Sequence, residues 1–478
     1  MIPLTLAEVA TAVDGRLVAA DPTVRVTDTV EFDSRKVRPG GLFVAFRGEK
    51  VDGHDFAASA IEAGAVATIG TCEVPGVPMV VVDDALTAMA KLARAVLSRL
   101  PGLTVVGVTG SSGKTTTKDF IAQLAARLGP TVAPTGSFNN ELGHPYTVLR
   151  ATAETRFLVL EMGARGPGHI RYLCEIAPPH IGVVLNVGVA HIGEFGSVEG
   201  IAAAKGELVE ALPPEGLAVL NADDPRVRAM AERTAAEVML VGEAPDATLR
   251  AEDVVLDNRG RASYTLVYQP GGPHGREQAS EASPHGERVD VRLTVAGRHQ
   301  VANTLAAAAV ALRLGMPVGD LPDALGALRL VSGRRMDVFD RADGVTVIDD
   351  SYNANPASTA AALRALVAMG NGRRTIAVLG YQAELGEFER EGHEEVGRLA
   401  AELGVDRLIV IGEPAAPICD GAAAVTNWGG ESVLVADQEA AIALLREELR
   451  SGDVVLVKGS RYRTWDVADA LRAAEGMA

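Results

Sequence analysis

The sequence predicts an α/β protein that is divided into three domains. From residue 103 onward, short strands alternate with helical stretches, a pattern typical of parallel sheets covered by helices. The chain has 478 residues, which is too long for one hydrophobic core. Hydrophobic residues make up 47% of the chain and aromatic residues only 4%, so we expect cores built mainly from Ala, Val and Leu.

The three predicted domains cover residues 1–101, 102–330 and 331–478. The first mixes short strands with helices and ends at Pro101-Gly102, a pair typical of a boundary. In the second, we predict strands at residues 105–108, 157–160, 181–186 and 217–220. In the third, we predict a doubly wound, Rossmann-like sheet with strands at residues 346–348, 375–379, 407–411 and 454–457. Such sheets bind ligands where their parallel strands end.

Charge and cysteine content exclude several classes of protein. The formal net charge of −17 argues against nucleic acid as a partner. The three cysteines lie far apart without metal-ligand spacing, which indicates reduced thiols and a cytoplasmic protein. The N-terminal residues lack the basic region of a signal peptide, and no apolar run is long enough for a membrane span. Nothing demands an oligomer, so we expect a monomer.

The segment VVGVTGSSGKTTT at residues 105–117 has the strand, loop and helix order of a phosphate-binding loop. Its glycines let backbone N–H groups approach phosphate oxygens, and the following helix adds its positive dipole end. Lys114 is expected to neutralise the β- and γ-phosphates and Thr115 to hold Mg²⁺. The spacing is unusual, because Val108 stands where the common motif has its first Gly. The predicted nucleotide contacts are Thr109, Gly110, Ser111, Ser112, Gly113, Lys114, Thr115 and Thr116.

Other polar residues follow predicted strands of the second domain. Glu161 directly follows the strand predicted at residues 157–160, where a second magnesium ligand is expected beside the phosphate loop. His191 follows the next strand, and Lys205 lies on a helix that Ser197 can cap. A lone His or Lys is more often structural or solvated, and the residues alone leave that alternative open.

Further candidates lie near the second boundary and in turns. Arg335 belongs to the segment SGRRM, and a guanidinium is suited to phosphate oxygens. Asp350 lies in DDSYNANP at residues 349–356, on a strand-to-helix turn. Asn303 lies on an Ala-rich helix. The clusters Asp33-Ser34-Arg35 and Phe138-Asn139-Asn140 are compatible with either a surface turn or a binding site, and Lys458 and Arg461 add cations after the last strand.

Together these motifs resemble the Mur ligase family of peptidoglycan synthesis over essentially the whole chain. TGSSGKTT is shared across the superfamily, including folylpolyglutamate synthetases. More specific are Phe138-Asn139-Asn140 with Gly143 and Pro145, the block AHIGEFGS at residues 190–197, and DDSYNANP. The last block is similar to that of the members that add D-alanyl-D-alanine. One departure is Gly380-Tyr381-Gln382, where the family usually has Gly-Asp-Met, so an acidic residue is missing.

The resemblance implies a reaction and a cofactor set. It implies that ATP phosphorylates the terminal carboxylate of UDP-N-acetylmuramoyl-tripeptide, and that D-alanyl-D-alanine then attacks the acyl phosphate. The products would be UDP-N-acetylmuramoyl-pentapeptide, ADP and phosphate. The implied cofactors are ATP and two Mg²⁺. The first domain would hold the nucleotide sugar, the second, P-loop ATPase-like, would bind ATP, and the third would complete the ligase site.

The resemblance also implies roles for individual residues. The catalytic set is Lys114, His191, Lys205 and Arg335. The magnesium ligands are Thr115, Glu161, His191 and Lys205, the last as a carbamate. The further ATP contacts are Asn303, Arg335 and Asp350. The substrate contacts are Ser34, Arg35, Asn139, Asn140, Tyr352, Asn353, Asn355, Lys458 and Arg461.

Two alternatives stay open at this stage. One is another ATP-dependent amide ligase on the same scaffold, either an earlier Mur ligase or a folylpolyglutamate synthetase. The other is a nucleotide-gated binding protein that couples ATP to domain movement. The sequence identifies neither the third residue of the tripeptide nor the contacts of D-alanyl-D-alanine.

Overall fold

The computed structural model describes residues 1–188, 192–270, 286–460 and 462–473, without the side chain of Ile192. The fold is α/β with several mostly parallel sheets, as predicted. Each main sheet lies within one of the three predicted ranges, while the exact domain limits stay a prediction. Within the described ranges, no helix is both long and apolar enough to cross a membrane.

The first unit is a small α/β domain. Its strands are β1 (Leu4–Thr5), β2 (Arg16–Val18), β3 (Arg25–Val26), β4 (Val30–Glu31), β5 (Leu42–Val44), β6 (Ala67–Gly70) and β7 (Met79–Val81). Its helices are α1 (Leu6–Ala12), α2 (Ala57–Glu62) and α3 (Ala85–Leu97). The main sheet has five strands in the order β2-β7-β6-β5-β4. Thr5 and Glu8 start α1 with a capping box, which satisfies N–H groups at the helix end.

In the part of the second unit that the structure describes, the sheet has nine strands. Its strands are β8 (Thr104–Thr109), β9 (Thr131–Val132), β10 (Phe157–Glu161), β11 (Ile181–Val184), β12 (Leu217–Asn221), β13 (Glu237–Gly242), β14 (Leu249–Leu256), β15 (Arg261–Tyr268) and β16 (Glu287–Ala296). Its helices are α4 (Lys114–Ala126), α5 (Gly143–Val148), α6 (His169–Ile176), α7 (Ile192–Phe195), α8 (Val198–Glu210), α9 (Pro225–Arg228), α10 (Gln300–Arg313) and α11 (Leu321–Gly326). The order is β16-β15-β14-β13-β12-β11-β8-β10-β9.

The third unit has a six-stranded sheet. Its strands are β17 (Asp337–Asp340), β18 (Thr346–Asp349), β19 (Thr375–Leu379), β20 (Arg407–Ile411), β21 (Glu431–Val435) and β22 (Val454–Lys458). Its helices are α12 (Pro356–Gly370), α13 (Glu389–Glu402), α14 (Pro417–Ala423), α15 (Gln438–Glu448) and α16 (Trp465–Ala473). The order is β17-β18-β22-β19-β20-β21, and all neighbours except β17 and β18 are parallel.

Strand order decides which chain segments meet at the site. In the second unit, β8 lies between β10 and β11, and all three strands are parallel. Their carboxyl ends therefore bring Thr109, Glu161 and the residues after Val184 to one edge. The first unit packs against the second, because α3 and Tyr146 of α5 share one continuous hydrophobic core.

Candidate active site

The predicted phosphate loop lies between β8 and α4. Gly113 precedes the first residue of α4 and has a φ of +80°, a conformation that favours glycine. A Cβ at this position would also lie 2.7 Å from Oδ1 of Asn303. Conformation and close approach thus both require glycine here. The geometry places the first turn of α4, with its positive dipole end, against the cavity described below.

Asn186, just after β11, holds the loop in shape. Its carbonyl accepts the N–H of Ser111 at 3.1 Å, and its side-chain Oδ1 accepts the N–H of Ser112 at 2.9 Å. Its Nδ2 donates in return to the carbonyl of Ser112 at 3.2 Å. Asn186 was not among the site residues predicted from the sequence. The available signal was an amide side chain directly after a buried strand next to β8.

Thr115 and Glu161 form the centre of the candidate metal site. The Thr115 hydroxyl donates to Oε2 of Glu161 at 2.7 Å, and Nδ2 of Asn139 donates to Oε1 at the same distance. Glu161 is 1% exposed. A hydroxyl and a carboxylate oxygen at contact distance are hard ligands of the kind that Mg²⁺ binds. The donor chemistry therefore fits the predicted magnesium ion, although the described residues contain no cluster of three His, Cys, Asp or Glu side chains.

Lys205 is buried on α8, whose first turn is capped by Ser197. Burial lowers the pKa of the Lys205 amine well below its ordinary value, and the charge of Lys114 lowers it further. His191, the remaining predicted magnesium ligand, lies outside the described residues, as does Arg461. The effect of Lys114 on the pKa of Lys205 indicates that the two lysine side chains lie near each other.

Lys114 faces the loop and the third domain. Its Nζ donates to the carbonyl of Gly110 at 2.7 Å. Burial lowers the pKa of Lys114, while the negative charge of Glu161 acts in the opposite direction and Arg335 lowers it again. Lys114 and Arg335 therefore form a local cationic centre in a chain of net charge −17. Such a centre favours an anionic ligand.

A cavity of about 680 Å³ opens between the second and third domains. The lining residues from the phosphate loop and its surroundings are Ser111, Ser112, Gly113, Lys114, Thr115, Thr116, Asn139, Glu161, Asn186 and Asn303. Those from the third domain include Arg335, Asp350, Tyr352, Asn353, Asn355, Glu384 and Lys458. Most of the predicted ATP contacts and many of the predicted substrate contacts thus share one cavity.

The third-domain residues are held by specific contacts. The Arg335 guanidinium lies over the Tyr352 ring, with Cζ 4.1 Å from the centroid. Asp350 accepts the N–H of Met336 at 3.0 Å and forms an ion pair with Lys458. Asn355 accepts the N–H of Ser358 at 2.9 Å and caps α12. Arg335 precedes β17 and Asp350 follows β18, so the two residues line the cavity from the two ends of this strand pair.

Some predicted contacts lie away from this cavity. Ser34 and Arg35 form a turn of the first domain, where Arg35 is largely exposed and binds Asp33 at 2.8 Å. Hydrogen bonding from Arg35 lowers the pKa of Asp33 to about 2. Thr109 is buried and donates to the carbonyl of Met162 at 2.9 Å. Asn140 accepts the N–H of Gly143 at 2.8 Å at the start of α5.

Two residues of the unusual loop after β19 contact α13 of the third domain. The Tyr381 ring stacks on His393 with centroids 5.3 Å apart, and its hydroxyl donates to Glu389. Gln382 is 1% exposed, and its N–H donates to Nε2 of His393 at 3.0 Å. Neither Tyr381 nor Gln382 supplies the acidic residue that the family usually has after Gly380. Glu384, shortly after Gln382 in the chain, lines the cavity and supplies a carboxylate there.

Lys118 is a second residue that the sequence analysis missed. It is fully buried on α4, one turn after Lys114. Its Nζ donates to the carbonyls of Pro134 at 2.6 Å and Gly136 at 3.2 Å, and it pairs with Asp119. From the sequence alone, a lysine at this position is expected to be exposed to solvent. Only the fold brings residues 134–136 close enough to accept its hydrogen bonds.

Comparisons with known proteins identify relatives of this chain. Three family models match, described as Mur ligase family, catalytic domain (residues 27–97), Mur ligase middle domain (residues 108–311) and Mur ligase, glutamate ligase domain (residues 334–461). The UDP-N-acetylmuramoyl-tripeptide–D-alanyl-D-alanine ligase of Mycobacterium bovis is 49% identical over 518 residues, covering 99% of this chain and 98% of the relative. The enzyme of the same name from Escherichia coli is 34% identical, covering 96% of each chain.

Solved structures give the same result. A crystal structure of MurF from Acinetobacter baumannii matches with a TM-score of 0.86 and 30% identity, over 98% of this chain and 99% of that one. MurF ligase from Thermotoga maritima, in complex with ADP, matches with a TM-score of 0.79 and 31% identity, over 95% and 99%. Together with the full-length sequence matches and the site geometry, these findings show that the chain belongs to the Mur ligase family of ATP-dependent ligases.

Proposed function

We propose that this chain joins the amine of D-alanyl-D-alanine to the terminal carboxylate of UDP-N-acetylmuramoyl-tripeptide, with ATP converted to ADP and phosphate. The observation that carries the proposal is one cavity in which the phosphate loop, the Thr115–Glu161 pair and Arg335 of the third domain meet. Full-length relatives that carry the name of this activity support the choice of substrates.

The chain's own residues address the charge problem of this reaction. A carboxylate and a triphosphate repel each other, so cations must lie between them. Lys114 and Arg335 supply positive charge from opposite domains of the cavity. ATP, when bound, supplies the phosphoryl group that makes the carboxyl carbon an electrophile for the amine. Loss of one such electrostatic contact costs about 3 kcal/mol of the activation barrier, or about a hundredfold in rate.

We further propose that Thr115 and Glu161 hold one Mg²⁺ and that Lys205 acts as a carbamate ligand for a second. The lowered pKa of Lys205 supports this, because the neutral amine is the form that reacts with carbon dioxide. Carbamylation converts a buried cation into an oxygen ligand with negative charge, which suits a hard metal ion. His191 stays a predicted ligand of the same centre.

The remaining predictions concern partners and location. We propose that the protein works as a monomer in the cytoplasm on small-molecule substrates and binds no nucleic acid. The net charge of −17 supports the last point. The three cysteines, Cys72, Cys174 and Cys419, are all free thiols, which is typical of a reducing compartment. Ser34 and Arg35 stay proposed contacts of the nucleotide sugar.

The decisive experiment measures ADP formation with UDP-N-acetylmuramoyl-tripeptide in the presence and absence of D-alanyl-D-alanine. We expect ADP release to require both substrates and the product to be the pentapeptide, detected by mass spectrometry. Release that requires a single amino acid such as glutamate instead would favour another ligase of the superfamily. ATP turnover independent of any amine would favour a nucleotide-gated binding protein.

A further inference from the structure

Tyr352 connects the second and third domains. Its hydroxyl lies 2.7 Å from Oγ of Ser137 in the second domain. Its ring lies against the Arg335 guanidinium, with Cζ 4.1 Å from the ring centroid. All three side chains line the cavity. One side chain therefore joins a residue of the second domain to the cation that the third domain contributes.

The Tyr352 ring contacts the face of the Arg335 guanidinium and leaves its N–H groups available to bind an anion. Nε of Arg335 is buried and has no hydrogen-bond partner among the described residues. The neighbouring Arg334 is committed elsewhere, through a 2.9 Å ion pair with Asp469. An aromatic face stabilises a guanidinium without using its N–H groups, which lie in the guanidinium plane. Those groups stay available for phosphate oxygens in the cavity.

Ser137 is itself held by residues next to the phosphate loop. Lys118 of α4 donates to the carbonyls of Pro134 and Gly136, immediately before Ser137. Asn139, two residues after it, donates to Glu161 at 2.7 Å. Residues 134–139 are therefore anchored on both sides of Ser137 by the same elements that surround the nucleotide and metal site.

We propose that Tyr352 is a positioning residue that orients the Arg335 guanidinium toward the bound phosphates. Its hydrogen bond to Ser137 couples the orientation of Arg335 to the position of residues 134–139. The proposal rests on the proposed function, since it assumes phosphate chemistry in the cavity. It gives Tyr352 a role that acts through Arg335, in place of the direct substrate contact predicted from the sequence.

A double-mutant cycle tests the coupling. Tyr352→Phe and Ser137→Ala each remove one partner of the hydrogen bond, and Phe keeps the ring beneath Arg335. Tyr352 is 42% exposed and its hydrogen bond to Ser137 lies at the surface, so we expect both variants to fold. Each is expected to lower kcat about fivefold with little change in the KM for ATP. The double variant should lose the same factor of about five, because all three variants lack the same bond.

Two further variants separate the ring from the hydroxyl. Tyr352→Leu also removes the aromatic face and is expected to lower kcat by about a further tenfold. Tyr172→Phe, which deletes a hydroxyl on α6 outside the cavity lining, is the matched control and should behave as wild type. Losses that multiply in the double variant to about 25-fold, or Tyr352→Leu equal to Tyr352→Phe, would overturn the proposal.

A readout without turnover completes the test. Hydrogen–deuterium exchange is followed in peptides that cover residues 134–139 and 333–337, with magnesium and a non-hydrolysable ATP analogue present. We expect faster exchange in both segments for Tyr352→Phe and Ser137→Ala and no change for Tyr172→Phe; wild-type exchange in the first two would contradict the coupling. If wild type releases no ADP in response to D-alanyl-D-alanine, the proposed function is wrong. The exchange data still test the coupling through the Ser137–Tyr352 contact, because they do not depend on turnover.

Discussion

The hydroxyl of Thr115 donates a 2.7 Å hydrogen bond to the Glu161 carboxylate, across 46 positions of sequence. Thr115 lies in the first turn of α4 and Glu161 is the last residue of β10, the strand beside β8. The bond therefore reports directly on the sheet order of the second domain. It also assembles two of the proposed magnesium ligands before any ion binds.

This pair leads to a prediction about metal binding. Thr115→Val keeps the side-chain shape but removes the hydroxyl, so one ligand is lost and the Glu161 carboxylate loses a donor. We expect activity to fall about a hundredfold and the Mg²⁺ concentration for half-maximal activity to increase. Thr115→Ser, which keeps the hydroxyl, is the matched control. A Thr115→Val enzyme with wild-type magnesium dependence would contradict the assignment.

The second prediction concerns catalysis by Lys205. Lys205→Ala removes the proposed carbamate ligand and should be inactive, at least a hundredfold below wild type. Short carboxylic acids such as acetate should restore part of the activity, because a carboxylate can occupy the space of the carbamate. The direct check is a carbonyl signal in the ¹³C NMR spectrum of wild type supplied with labelled bicarbonate. Full activity of unrescued Lys205→Ala would exclude the role.

A third prediction follows from the lowered pKa of Lys205. Between the folded and unfolded pKa values, the unfolded chain binds more protons, so this residue's contribution to stability increases with pH up to about 10.4. Lys205→Met removes the cost of burying an amine. In buffer free of carbon dioxide at neutral pH, we expect the free energy of unfolding to increase. The measurement is denaturant unfolding of both proteins, and a less stable Lys205→Met variant would contradict the prediction.

The fourth prediction tests the buried Lys118–Asp119 pair. Lys118→Met leaves the buried Asp119 without its cation and two carbonyl groups without their donor, and we expect a destabilisation of about 3–5 kcal/mol. Replacing both partners, with Lys118→Met and Asp119→Leu, should recover part of this loss, since no charge is then left unpaired. Denaturant unfolding checks both variants. Equal stability of Lys118→Met and wild type would show that the pair is not a structural anchor.

The fifth prediction concerns Asn186. Asn186→Ala removes the side chain that binds the N–H of Ser112, so the phosphate loop loses part of its support. We expect the KM for ATP to increase about tenfold while the protein keeps its fold. Asn258→Ala, on a turn far along the sheet between β14 and β15, serves as the control. An unchanged KM for ATP in Asn186→Ala would show that the loop holds its shape without this residue.

The local sequence pattern was sufficient to predict the strand and the helix that flank the candidate site. The strand, turn and helix around residues 104–126 are readable because the hydrophobic period changes where the glycines stand. Asn186 and Lys118 were not readable in the same way. Their partners lie 74 and 16–18 positions away, so the residue types by themselves do not show which backbone groups these side chains hold.

The sequence by itself determined the α/β class, the strand, turn and helix around residues 104–126, and the family, because each depends on residue types at short, regular spacings. Only the tertiary structure decided that Glu161 meets Thr115, that Arg335 lies over Tyr352, and that a lysine on α4 supports the segment of Ser137. These contacts depend on strand order and on how two sheets face each other. Both arise from packing over the whole chain, which local spacing does not encode.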